Sequence, residues 1–260
     1  MQKNSRFLLI TLVALAFIQI AGCKKHYDTL PPSEVKLCDI KHIQYTFAGQ
    51  KSEANFTYNT HGDPVSITVS NPGTGNPNVI FLYDHYNRIT DYIGPYSKLD
   101  PANLPNEIAF EFWIRYTYAD QNPSSLPVVD TSRTFGFYKN GQFSVVTPTI
   151  IEHYTYDSKG RIIQINSLNN IVTYNYNANG NLVLPNVMYD DKINFRRTNK
   201  LWKFLDRDYS MNNMFIATSY NDKGLPLAIP NSYSNFLQRV MFLSSIDYSC
   251  NINMLTKTLY

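Results

Sequence analysis

Tyr154-Thr155-Tyr156-Asp157-Ser158-Lys159-Gly160-Arg161-Ile162 is the stretch that decides the fold of this chain. Aromatic residues two apart, Tyr154 and Tyr156, carry the period of a half-buried strand and cannot share one face of a helix. Asp157 follows, a residue whose side chain caps a turn by bonding nearby backbone N–H groups. Gly160, four residues after Tyr156, supplies the positive φ that closes a hairpin, and Ile162 opens a return strand.

The same order recurs along the chain. It reads Phe56-Thr-Tyr58-Asn59-Thr-His-Gly62-Asp63-Pro64-Val65, then Phe81-Leu-Tyr83-Asp84-His-Tyr-Asn87-Arg88-Ile89. Two later copies are Tyr174-Asn-Tyr176-Asn177-Ala-Asn-Gly180-Asn181-Leu182 and Thr218-Ser-Tyr220-Asn221-Asp-Lys-Gly224-Leu225-Pro226. Turns are therefore expected at Gly62, Asn87, Gly160, Gly180 and Gly224, each behind a tyrosine on a strand. Repeated short hairpins leave one fold class, all-β: an antiparallel meander curling into a barrel-like or half-open twisted sheet. Twist accumulates over many strands, and curling reduces exposed edges.

Between the copies, Phe110 to Tyr118 alternates as a strand, and Thr134–Tyr138 with Gln142–Val146 flanks Asn140-Gly141, a hairpin signal. Two short helical turns are expected. Asp100-Pro101 reads as an N-cap with proline at the first position, ending before Pro105. Thr198 or Asn199 caps Leu201-Trp202-Lys203-Phe204-Leu205, whose apolar spacing is three and four. No Ser/Gly-rich linker divides residues 34–260, which reads as one domain.

The unit resembles the tyrosine–aspartate (YD) repeat of Rhs-type and teneurin-type proteins, in which hairpins build extended β shells. Tyr156-Asp157-Ser-Lys-Gly160-Arg161-Ile162 matches best. The tyrosine-to-tyrosine intervals of 25, 73, 20 and 44 residues make the array irregular, and no toxin or protease region follows. The whole chain is similar to envelope lipoproteins of Bacteroidota built from such hairpins, a likeness carried by Asp208-Tyr-Ser-Met-Asn212-Asn213 and Tyr220-Asn-Asp-Lys-Gly224-Leu-Pro226. That resemblance implies a barrel-like fold and no activity.

The N-terminus points the same way. Lys3 and Arg6 precede an apolar run, Phe7 to Ile20, which is too short for a comfortable membrane span and has the size of a secretory signal core. Ile20-Ala21-Gly22-Cys23 resembles the lipobox of bacterial lipoproteins. It implies a signal peptide over 1–22, a lipid on Cys23 and a tether over 23–33 containing Pro31-Pro32. An uncleaved anchor followed by an ordinary cysteine is the alternative. Lys24 and Lys25 behind the lipid site are unlike the aspartate that retains some lipoproteins in the inner membrane, so an outer-membrane anchor is expected. Which face of the membrane the domain occupies stays open.

Composition narrows the partners. The 260 residues are 43% hydrophobic, enough to bury a core, and 17% charged. Setting aside Lys3 and Arg6 leaves 21 basic residues against 20 acidic, a net of +1. No charge field draws nucleic acid or an anionic membrane. The lipid-anchored membrane remains as a partner, with a glycan or an envelope protein possible beside it.

Three cysteines occur, Cys23, Cys38 and Cys250. With Cys23 lipidated, an exported Cys38 and Cys250 form either a disulfide joining the two ends of the domain or two buried thiols; the disulfide is expected. No cofactor motif, HExxH, Gly-x-Ser-x-Gly, phosphate loop or EF-hand spacing appears, and no metal is expected. His61 and His85 fall in repeat turns at the surface.

Paired carboxylates are the one catalytic prospect. Asp190 and Asp191, with Asp206 and Asp208, stand outside the hairpin pattern and could serve glycoside hydrolysis at a suitable separation. Arg196, Arg197 and Arg207 offer the other reading, ion pairs that pin an irregular crossover. The tyrosines divide likewise between stacking on sugars and packing hairpin on hairpin. A non-catalytic structural or ligand-binding repeat module is expected, with an exported glycan-acting hydrolase as the alternative.

Overall fold

The computed structural model describes residues 38–168, 170–237 and 239–250. Cys23, the signal segment 1–22 and the tether 23–33 lie outside the described residues, as do 34–37 of the expected domain. Fourteen strands join one antiparallel sheet. The chain meanders through β1 (Asp39–Phe47), β2 (Gln50–Tyr58), β3 (Pro64–Val69), β4 (Val79–Tyr83), β5 (Ile89–Pro95), β6 (Glu107–Thr117) and β7 (Val129–Lys139). β8 (Gln142–Val145) pairs only with β7 and stands off the main path. β9 (Ile150–Tyr156), β10 (Ile162–Ser167) and β11 (Asn170–Thr173) end the first run. A long crossover follows, carrying a 3-10 turn (Phe195–Thr198) and one helix, α1 (Lys200–Asp206). It leads to β12 (Ser219–Tyr220), β13 (Pro226–Phe236) and β14 (Arg239–Ser249), which attach on the far side of β1.

The sheet does not close: β11 and β12 are its two ends and do not pair. Of the shapes the hairpins allow, it is the open one. It is nonetheless strongly curled, as α1 shows. Trp202 lies 5.6 Å from Phe56 on β2, 5.9 Å from Phe81 on β4 and 5.8 Å from Phe236 on β13 by ring centroids. Phe204 lies 5.1 Å from Tyr116 on β6 and 5.6 Å from Tyr154 on β9. From β9 to β13 a flat sheet would span about 43 Å at roughly 4.8 Å per strand. A seven-residue helix is only about 10 Å long. Both sets of contacts are possible only if the sheet wraps around the helix.

The concave face and α1 form the main core, with Ile40, Ile43, Tyr45, Ile67, Phe81 and Tyr92 from the strands buried against Phe195, Leu201, Trp202 and Leu205. A smaller core lies on the other face, where β8 covers Ile80, Ile93, Phe110 and Trp113 with Phe143 and Val145. That explains why β5 is buried on both sides.

The curl has a local origin. In four repeat hairpins the register slips beside the tyrosine, which pairs with the residue six further on: Tyr58 with Pro64, Tyr83 with Ile89, Tyr156 with Ile162 and Tyr220 with Pro226. Val65, Thr90, Ile163 and Leu227 are the skipped residues. Each is a bulge, and a bulge bends its strand and increases the twist.

Two expectations need correction. Asp100-Pro101 starts no helix: Ala102 N–H donates to Asp100 Oδ1 at 3.0 Å and Asn103 N–H to Asp100 C=O at 3.1 Å, a single turn. The three residues between Pro101 and Pro105 are too few to propagate a helix past its nucleus. Tyr176 is not on a strand but in an isolated bridge to Leu182, because Pro185 follows and cannot extend a ladder. The second helix is α1, and its cap is Asn199, whose side chain accepts from Leu201 N–H.

Cys38 and Cys250 are disulfide-bonded with Cα atoms 4.1 Å apart. The bond continues the β1–β14 ladder, which ends on Asp39 opposite Ser249. Closing 212 residues of separation stabilises by about 5 kcal/mol in the chain-entropy account.

Trp202 is fully buried, and its Nε1–H has no hydrogen-bond partner among the described residues. Trp202→Ala is expected to cost about 3–5 kcal/mol in urea unfolding, the range for emptying a large aromatic site. Trp202→Phe should cost well under half of that, since the lost N–H bonds nothing. Equal losses in the two variants would contradict this account of the hollow.

Candidate functional site

The five expected turn residues all have positive φ: Gly62 at 80°, Asn87 at 57°, Gly160 at 72°, Gly180 at 78° and Gly224 at 76°. Each turn carries the same four hydrogen bonds. In the third repeat Asp157 N–H donates to Arg161 C=O at 2.9 Å, and Gly160 N–H to Asp157 C=O at 3.0 Å. Asp157 Oδ1 meanwhile accepts from Lys159 N–H at 2.9 Å and Arg161 N–H at 3.0 Å. Asn59, Asp84, Asn177 and Asn221 accept from their own second and fourth followers at 2.9–3.0 Å.

The tyrosine before each turn is also spoken for. Tyr83 Oη donates to Pro64 C=O at 2.7 Å, and Tyr176 Oη to Ile162 C=O at 3.3 Å. Pro64 and Ile162 each open the return strand of the preceding repeat. Tyr58 reaches Ile40 C=O and Tyr156 reaches Pro127 C=O, both at 2.7 Å. Burial pushes these phenols far up, out of any physiological titration. Tyr118 obeys the same rule, donating to Ile89 C=O at 2.8 Å. It is a repeat tyrosine without a repeat turn, and the sequence signal was there: Tyr116-Thr-Tyr118 copies Tyr154-Thr-Tyr156.

Arginine completes two of the units. Arg88 bonds Asp84 through Nε at 2.8 Å and lies 4.1 Å over the Tyr118 ring. Arg161 bonds Asp157 at 2.7 Å and lies 4.1 Å over the Tyr176 ring. Partial burial pushes the carboxyls of Asp84 and Asp157 up, but the backbone and guanidinium donors outweigh it and hold both below the usual carboxylate range. The rings of these tyrosines therefore face protein, not an open surface.

The four candidate carboxylates do not gather in an open cleft. Asp206 and Asp208 both face Arg196, at 2.5 and 3.5 Å, and all three side chains are buried. Asp206 also accepts Leu237 N–H at 2.5 Å, and Asp208 accepts Ser210 N–H at 2.9 Å. Burial pushes the Asp206 carboxyl up to about 6, opposed by the Arg196 guanidinium. Both its oxygens accept from donors, so the arrangement fits the carboxylate. Arg196, flanked by Asp206 and Asp208, is held charged despite its burial.

Asp190 accepts from Asn213 N–H and Nδ2–H at 2.9 Å and from Tyr220 Oη at 3.1 Å, tying the crossover to β12. Asp191 is exposed and 3.3 Å from Lys192. An apolar cleft near the β13–β14 turn, lined by Ile43, Phe56, Ile67, Phe236 and Met241, has no carboxylate, histidine or thiol in its lining, and its one phenol, Tyr45, donates to Asn76 Oδ1 at 2.7 Å. Among the described residues no group of three or more His, Cys, Asp and Glu could hold a metal ion.

Two buried acids escaped the sequence reading: Asp91 on β5, which accepts from Trp113 Nε1–H at 2.6 Å and Arg115 Nε–H at 2.8 Å, and Asp130. Asp130 on β7 is 1% exposed and accepts from Tyr154 Oη and, at 3.3 Å, from Ser132 Oγ. Arg207, the left-handed cap of α1 at φ 57°, pairs with Glu152 beside it. Burial pushes the Asp130 carboxyl up to about 6, helped by Glu152 and opposed by Tyr154 and Arg207. Nothing but alternation along β7 marks this position in sequence.

Comparison with known proteins adds little. No family model matches the chain, and no curated protein matches it. Two crystal structures, of TcdB2-TccC3-TEV and TcdB2-TccC3-Cdc42, align with it at 13% identity. They cover 52% and 56% of this chain, which spans 7% and 8% of theirs, with TM-scores of 0.20 and 0.19. Superposition at that level carries no argument about fold or role.

Asp130 yields a pH prediction. Its folded-state pKa of about 6 lies above the ordinary 3.8, so the folded chain holds this proton more tightly than the unfolded one. The stabilisation is complete below about pH 4 and is lost as pH rises through 6, up to about 3 kcal/mol in all. In urea unfolding, Asp130→Asn should therefore gain on the parent as pH rises from 5 to 7. A constant difference, or the opposite trend, would contradict the buried-acid reading.

Proposed function

We propose that this chain is a lipid-anchored protein of a bacterial envelope whose folded part is a non-catalytic β-hairpin-repeat module, structural or ligand-binding. The observation that carries the non-catalytic reading is the use made of the acids. Asp206 and Asp208 enclose one buried arginine, Asp190 bonds Asn213 and Tyr220, and the turn acids bond their own backbone. A glycosidase needs two carboxylates flanking a substrate and a water. Asp191 is exposed beside Lys192, so no two of Asp190, Asp191, Asp206 and Asp208 are placed so, and the hydrolase alternative loses its pair.

The anchor rests on Ile20-Ala21-Gly22-Cys23 behind the apolar run. Several acyl chains hold a protein at a bilayer far more firmly than one. The outer membrane is the proposed location, and a glycan or another envelope protein is the class of partner. The hairpin pattern's resemblance to YD repeats supports a module that presents or spaces rather than one that reacts. Mass spectrometry of the mature protein is the test: Cys23 should be the first residue and carry diacylglycerol and an amide-linked acyl chain. A peptide in which unmodified Cys23 is still joined to Gly22 would overturn the anchor.

A further inference from the structure

The two ends of the sheet are built differently. β12 is two residues long and runs into the turn carrying Asp222 and Lys223, with Pro226 opposite Tyr220. β11 is exposed along its whole length, and among the described residues the sheet has no strand beyond it. Tyr174 N–H donates to Ile163 C=O at 2.8 Å. The two-residue alternation of an antiparallel strand then turns Val172 toward β10 and sends the N–H and C=O of Ile171 and Thr173 outward. Further along, Asn175 C=O is already taken by Val183 N–H at 2.7 Å. The open edge is therefore a short notch, bounded by Val183 at one end and the β10–β11 turn at the other.

Natural sheets guard such an edge with charge, proline or a bulge. Here Ile162 to Tyr189 contains no Asp, Glu, Lys or Arg at all. Within that stretch Leu168 is 95% exposed, Ile171 60%, Val183 58% and Met188 80%. An uncharged edge, with Ile171 and Val172 between Asn170 and Thr173, meets no electrostatic repulsion from its own copy.

We propose that β11 is a self-association edge, to which a second copy of this chain adds its own β11 antiparallel about a two-fold axis at Val172. In that register Ile171 of each copy faces Thr173 of the other, and two hydrogen-bonded pairs form with four N–H···O=C bonds. Val172 meets its own copy in the non-hydrogen-bonded position, where Cα atoms approach to about 4.5 Å. The contact is isologous and closes at two subunits, whereas joining β11 to β12 would run on as a filament. A notch this short buries less than the roughly 1,200 Å² at the lower end of standard interfaces, so the dimer is weak in dilute solution. Tethering both copies to one membrane raises their effective concentration, and in that respect the proposal rests on the anchored reading above.

The test uses the full mature protein in detergent at tens of micromolar. Under mild oxidation Val172→Cys should give about tenfold more covalent dimer on a non-reducing gel than Leu168→Cys, which is more exposed but off the axis. Adding Ile171→Pro should abolish it, since that N–H faces away from β10 and its loss spares the fold. Cross-linking of Val172→Cys no faster than Leu168→Cys, or unchanged by Ile171→Pro, would overturn the proposal. So would sedimentation of the unaltered chain as a monomer at every concentration, or capture of a foreign strand at β11 in place of a second copy. The state of Cys23 is read separately, so failure here is distinct from failure of the anchor.

Discussion

One side-chain oxygen per repeat, on the Asp or Asn that follows the tyrosine, underlies the rest of the structure. By accepting from the second and fourth following N–H groups, it satisfies the turn's backbone donors and leaves the third following residue in the left-handed region. The turn so fixed places the tyrosine opposite the residue six further on, and the next residue of the return strand is skipped. Bulge after bulge bends the sheet the same way, and the curl creates the hollow that α1 fills. The hydroxyls of Tyr83, Tyr118 and Tyr176 then reach back to the carbonyl opening an earlier return strand, while Tyr58 and Tyr156 reach the carbonyls of Ile40 and Pro127. Neighbouring hairpins are thus tied by hydrogen bonds as well as by the ladder.

Within that frame the crossover explains the buried charges. Residues 174–218 must travel from one end of the sheet to the other through an apolar hollow, and they carry polar groups with them. Arg196 brings Asp206 and Asp208, and Asn194, Asn199 and Asn213 satisfy backbone groups of the crossover itself. Removing one partner of such a cluster would strand a buried charge, so the cluster specifies a path more than it adds stability. What the sequence presents as paired carboxylates is the polar lining of a chain reversal. Tyr220 bonding Asp190 pins the far end of that reversal to β12.

Much of this was legible. Five turn residues, the strands that four of them join, the disulfide between Cys38 and Cys250 and the short helix capped by Asn199 all follow from turn chemistry, alternation and cysteine count. Apart from the disulfide, which rests on cysteine count in an exported chain, local rules reach that far because each feature is settled within about ten residues. The skipped residues Val65, Thr90, Ile163 and Leu227 were not legible, since a bulge leaves no mark in residue type. Nor was the placement of β12–β14 beside β1, a pairing across some 200 residues that depends on the whole meander being in place. Tyr118 was missed because its turn, Asp120 to Ser125, departs from the repeat while its hydroxyl bond does not. Asp130 was missed because its burial depends on α1 arriving from 70 residues away.

The claim that the five turns are one device is tested most directly by amide hydrogen exchange, resolved residue by residue by NMR. The informative amides are Asp63, Arg88, Arg161, Asn181 and Leu225, each donating to the side-chain oxygen four residues earlier. They should exchange as a group, orders of magnitude more slowly than the amides of open loops, including Asn181, whose hairpin is only a bridge. Exchange of these amides at unprotected rates, or protection only where long strands flank the turn, would show that the ladder and not the side-chain oxygen holds the repeats.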